Sequence, residues 1–117
     1  MSIDLSPLTE IRGFTGGCLV DSETGLTIET YGGEDLDLDL AGARNTEVLR
    51  DKQAALQSVG IEEPVEDMLV KAGDKLHMIR PLASMPTVFL YVVLSRGQAN
   101  LAMARLQLRK IEKTLAI

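Results

Sequence analysis

Seven consecutive apolar residues, Val88-Phe89-Leu90-Tyr91-Val92-Val93-Leu94, constrain this sequence more than any other feature. The run reads as a strand, and it is apolar on both of its faces. Such a strand needs cover above and below, which gives it a central place in a sheet with a layer on either side. It is also the longest uninterrupted apolar run in the chain, far short of what a membrane-spanning helix requires.

The rest of the chain supplies the sheet and its cover. Ser6-Pro7 carries a helix-start signature, a capping hydroxyl before a proline, and Gly13 keeps that helix short. Phe14 to Val20 reads as a strand with Phe14, Gly16, Cys18 and Val20 on one face. Asp21 to Gly25 forms a hairpin loop, and Leu26 to Tyr31 the return strand. From Leu38 to Val59 the period becomes helical. Ala41, Gly42, Val48, Leu49, Ala55, Leu56 and Val59 make a broad apolar band, with Gly60 and Pro64 as the stop. Three strands follow at Val65–Ala72, Lys75–Pro81 and Thr87–Leu94, joined by short turns into a meander. The first of them, with Glu66, Asp67 and Lys71, tolerates water and suits an edge. From about Gln98 a final helix shows one stripe, Leu101, Ala104, Leu108, Ile111 and Leu115. The order helix-strand-strand-helix-strand-strand-strand-helix predicts an α/β (α+β) fold. It is a three-layer α-β-α sandwich around a five-stranded antiparallel sheet, one domain spanning residues 1–117.

Composition then narrows the function. The chain has 117 residues and a net charge of −5, distributed unevenly. Residues 1–95 hold 16 acidic and 7 basic side chains, whereas residues 96–117 hold 1 acidic and 5 basic. So acidic a chain, without tryptophan, makes a poor nucleic-acid binder. One histidine and one cysteine leave little for catalysis or a metal, so no catalytic residue, metal or cofactor is expected. The N-terminus lacks the basic and apolar segments of a leader, and the lone Cys18 suits a reducing cytoplasm.

Individual motifs point the same way. Asp35, Asp37 and Asp39 mimic a calcium loop, but Leu40 and Thr46 stand where glycine and glutamate are needed, so they read as helix-capping charges. Gly13, Gly16 and Gly17 are not followed by the Gly-Lys-Ser/Thr of a phosphate loop. Cys18 reads as a buried, inert thiol, and His77 as a half-exposed structural histidine. Arg96, Arg105 and Arg109 offer a basic face for an acidic partner.

Two segments carry a family resemblance. Gly13-Phe14-Thr15-Gly16-Gly17-Cys18-Leu19-Val20-Asp21-Ser22-Glu23-Thr24-Gly25-Leu26 resembles the first hairpin of the Roadblock (dynein light-chain roadblock) domain family. Asn100-Leu101-Ala102-Met103-Ala104-Arg105-Leu106-Gln107-Leu108-Arg109 resembles its final helix. The resemblance implies a profilin- or longin-like fold and a homodimer, in which edge strands of two protomers join into one sheet beside paired long helices. It also implies protein partners, commonly a small Ras-like GTPase in bacteria, and no catalytic residues. The short first helix departs from the family pattern.

On that basis the expected dimer interface is Asn45, Val48, Leu49 and Lys52 of the long helix with Glu66, Met68, Leu69 and Val70 of the edge strand. An exposed edge with unpaired backbone groups favours such pairing independently. Three roles are open: a non-enzymatic, homodimeric regulator or adaptor of a Ras-like GTPase, a scaffold or motor-complex subunit independent of nucleotide, and a profilin-like small-molecule sensor.

Overall fold

A computed structural model describes residues 3–115; Met1 and Ser2, part of the stretch read for a leader, and residues 116–117 lie outside it. After a 3-10 turn at Ser6–Glu10 come β1 (Phe14–Asp21), β2 (Leu26–Gly32), α1 (Leu38–Ser58), β3 (Met68–Ala72), β4 (Lys75–Pro81), β5 (Val88–Ser95) and α2 (Leu101–Glu112). The sheet runs β2-β1-β5-β4-β3 with every pairing antiparallel. The doubly apolar strand is therefore the middle one of five, and β3 and β2 are the edges.

Alternation along β5 divides the interior into two cores. Val88, Leu90, Val92 and Leu94 face the 3-10 turn and α2, joined by Leu5, Leu8, Leu108 and Ile111. Phe89, Tyr91 and Val93 face α1 with Cys18, Val20, Leu38 and Leu49. Each β5 residue thus leaves water on one side or the other, and the three-layer sandwich follows.

Local chemistry explains where the elements begin and end. Gly25, at φ +78°, lets the β1–β2 loop close in a conformation costly to other residues. The Asp37 carboxylate accepts from the Leu40 amide at 3.0 Å and starts α1. Asn100 does the same for α2 through the Met103 amide at 3.1 Å. Gly42 sits where α1 comes nearest the sheet: a Cβ there would lie 2.9 Å from Thr27 Cγ2 and 3.1 Å from Val20 Cγ2.

Several expectations need correction. The first helix is a short 3-10 helix, Ser6–Glu10, that starts without a side-chain cap from Ser6; the Asp4 carboxylate accepts from the Ser6 amide just ahead of it. A bulge between Phe14 and Gly16 puts Phe14 in the α2-side core, away from Cys18 and Val20. β3 begins at Met68, so Glu66 precedes the strand. Leu49 is only 2% exposed. It packs on the sheet and is unavailable to a partner, because helical period, not the width of the apolar band, decides which residues point inward.

An ion network ties α2 to the opposite edge. Arg80 of β4 is buried and donates from Nε to Glu112 at 2.6 Å and from Nη1 to Asp67 at 2.9 Å. Asp67 also accepts from Arg105 Nε at 2.9 Å. A buried guanidinium needs such partners, since an unpaired charge there costs several kcal/mol.

Two tests address the α1 layer. Gly42→Leu forces a side chain into the closest helix–sheet approach and is expected to cost about 2 kcal/mol, read by urea unfolding. His77 Nδ1 lies 2.8 Å from the Tyr91 hydroxyl, and burial holds its pKa below the ordinary 6.5. The unfolded chain then binds more protons than the folded one as pH falls through 6.5, so stability is greatest above that pH and declines below it. In a melting-temperature series from about pH 7.5 to 5.5, His77→Gln is expected to flatten that decline.

Candidate functional site

Helical spacing splits the apolar band of α1 into two stripes. Leu38, Gly42, Thr46 and Leu49 are buried on the sheet. Ala41, Asn45, Val48, Lys52, Ala55 and Val59 step by 4, 3, 4, 3 and 4 residues along another side of the helix. From Val48 onward every member of that stripe is exposed, Val59 at 73%. A 4-3 spacing is the seam of paired helices, so this side of α1 can pack against another helix. Asn45 turns its amide back to the Ala41 carbonyl at 2.8 Å, satisfying part of its polarity within its own helix.

The second unpartnered feature is the free margin of β3. The two-residue turn Gly73-Asp74 makes Ala72 and Lys75 a bonded pair, so alternate residues Leu69 and Lys71 turn their amides and carbonyls outward. Leu69 packs against the α2-side core and Met68 against the α1-side core, while Val70 is exposed opposite His77. Gln53 of α1 lines one cleft together with Val65 and Asp67, which lead into β3. At that cleft α1 comes near the loop that leads into β3, while the main contacts of the helix are with β1 and β2.

The expected interface residues divide accordingly. The structure brings Asn45, Val48 and Lys52 onto the outward stripe and Met68, Leu69 and Val70 onto the edge. It removes Leu49 to the core and leaves Glu66 in the preceding loop. Ala41, Ala55 and Val59, read from the sequence only as part of one broad apolar band, also belong to the outward stripe.

The three arginines do not form one face. Arg96 follows β5, and its amide donates to the Asp74 carbonyl beside the β3–β4 turn. Arg105 is committed to Asp67. Arg109 lines the cleft beside the β4–β5 turn. That cleft, of about 430 Å³, is walled by Pro64, Val65, Pro81 and Leu82. Its charged floor is the Arg80–Asp67–Glu112 network, whose members already satisfy one another.

Little here supports bond-making chemistry. Burial, with the Asp39 charge adding to it, pushes the Cys18 thiol up to about 12, so it carries no thiolate near neutrality. Burial likewise raises the Tyr91 hydroxyl. Among the described residues, no three His, Cys, Asp or Glu side chains are grouped to hold a metal. Nor is any described helix long and apolar enough to cross a membrane.

No sequence profile of a known family matches the chain, and no curated protein matches it in sequence. Solved structures do match it in fold. The Roadblock/LC7 domain from Streptomyces avermitilis superposes with a TM-score of 0.81 at 17% identity, over 92% of this chain and 87% of that one. MglB of Myxococcus xanthus gives 0.78 at 18% identity, over 91% and 83%. The gliding protein MglB of Thermus thermophilus gives 0.72 at 13% identity, over 96% and 91%. Near-complete mutual coverage at these TM-scores agrees with the resemblance carried by the two sequence segments: the chain has the Roadblock/LC7 domain fold.

Proposed function

We propose that this protein is a non-enzymatic, homodimeric regulator or adaptor of a small Ras-like GTPase. The observation that carries it is that the chain leaves both the β3 margin and a 4-3 stripe on α1 exposed. Two copies related by a twofold would pair β3 with β3 and α1 with α1, each residue meeting itself or its neighbour. Val48, Ala55, Val59 and Val70 would leave water, and Asn45 and Lys52 would set the register. The joined sheet and helix pair form a docking platform. Regulation would then proceed by ordering the GTPase's own switch loops, since the platform contributes positioning and not a reacting group. The MglB proteins that share the fold, one of them solved in a tetrameric arrangement, support self-association of such chains.

Sizing by light scattering is expected to give a dimer at micromolar concentration. Lys71→Pro removes an outward amide from an exposed position, and Val48→Asp places a charge in the stripe. Each is expected to yield a folded monomer by circular dichroism, and a wild-type monomer would refute the dimer.

The partner is tested separately. A Ras-like GTPase encoded beside this protein's gene is expected to be retained by the wild type and lost with Lys71→Pro. Retention of the GTP-loaded form over the GDP-loaded form supports a regulator. Equal retention of both makes the protein a scaffold.

A further inference from the structure

The sheet has a second free margin, β2, which the proposed dimer leaves untouched because it lies four strands away from β3. Its ladder with β1 fixes which groups look outward. The Gly33 amide donates to the Thr15 carbonyl at 2.9 Å. Bonded and non-bonded pairs then alternate, so Tyr31 is bonded to Gly17 while Thr30, opposite Cys18, turns its amide and carbonyl away from the sheet. The Thr30 amide meets a substitute there: it donates to Oε1 of the adjacent Glu29 at 3.1 Å. A side-chain carboxylate thus occupies the position that the carbonyl of an added strand would take.

The surroundings of this edge are apolar and acidic. Leu26 is 69% exposed and Ile28 41%, and Tyr31, exposed too, lies against Phe14 with ring centroids 6.2 Å apart. From Gly13 to Ala43 the sequence holds seven acidic residues and no basic one. Asp37 and Asp39 accept hydrogen bonds from the Leu40 amide and the Thr27 hydroxyl, which leave their charges uncompensated. Arg50 of α1 reaches the β1–β2 loop, but it donates to the carbonyls of Ser22 and Glu23.

We propose that β2 is a docking edge for an extended segment of a partner protein in which lysine or arginine alternates with apolar residues. The incoming carbonyl takes the Thr30 amide. Glu29, displaced from that amide, pairs with a basic side chain on its own face of the widened sheet. Leu26 and Tyr31 also lie on that face and take the methylene stems of the incoming lysines or arginines, while the apolar residues of the segment fall on the opposite face. The register shift at Ile28 and the glycines after Tyr31 confine pairing to a short stretch around Thr30. A second copy is a poor occupant, because β2 against β2 would set one acidic margin against another. The same charge repels nucleic acid and anionic lipid.

The test is fluorescence anisotropy with the whole protein and a labelled peptide of about ten residues alternating lysine and valine. The wild type is expected to bind it, with weakening at raised salt. Thr30→Pro, and separately the double charge reversal Glu23→Lys with Glu29→Lys, are each expected to weaken binding about tenfold. A peptide alternating glutamate and valine, and the basic peptide N-methylated on its backbone, are expected not to bind. Should Thr30→Pro fail to fold, the N-methylated peptide carries the backbone test. The proposal is overturned by no binding to the wild type, by equal binding of the N-methylated peptide, or by a folded Thr30→Pro that binds as well as the wild type. Lys71→Pro, which alters the other edge, is expected to retain binding. Its loss there would place the peptide at β3 and overturn the assignment, while light scattering reads the dimer independently.

Discussion

Burial of β5 on both faces is the constraint on which the rest depends. Each of its apolar side chains requires a neighbour across one of two interfaces, so a single helical layer would leave half of them in water. α2 and the 3-10 turn close one face, and α1 closes the other. The antiparallel meander β3-β4-β5 and the β1–β2 hairpin then take the remaining places, which leaves two margins open, at β3 and β2. The free edges are thus a consequence of satisfying the middle strand with so short a chain.

Those margins differ in character because charge is segregated along the sequence. Near β3 the acidic Asp67 is matched by Arg80 and Arg105, so the approach to that edge is internally compensated. Around β2 seven carboxylates have no cation drawn from the same segment. A compensated edge can meet its own copy across a twofold without like charges colliding, whereas the uncompensated one favours an oppositely charged partner.

α1 links packing to assembly. Gly42 allows its first half to lie close on the sheet, while Val48, Ala55 and Val59 farther along are left exposed by the described residues. About 31 Å of helix is more than this small sheet needs for its own core. The excess leaves the stripe from Val48 to Val59 exposed.

The sequence by itself determined the element types, the central place of Val88–Leu94, the edge character of the strand ending at Ala72, and the inertness of Cys18. These follow from local periodicity, turn chemistry and the sheer lack of reactive side chains. It could not separate the two stripes of α1, because Val48 and Leu49 are adjacent and equally apolar; only the helix's contact with the sheet shows which one faces in. Phe14 changed sides through a bulge beside Gly16, which simple alternation of the strand does not reveal. Arg105 looked available until the fold brought Asp67 to it across 38 positions of chain. Tertiary structure decided these points, since each depends on which distant group arrives at hydrogen-bonding or van der Waals distance, and that is a property of the packed layers and not of neighbouring residues.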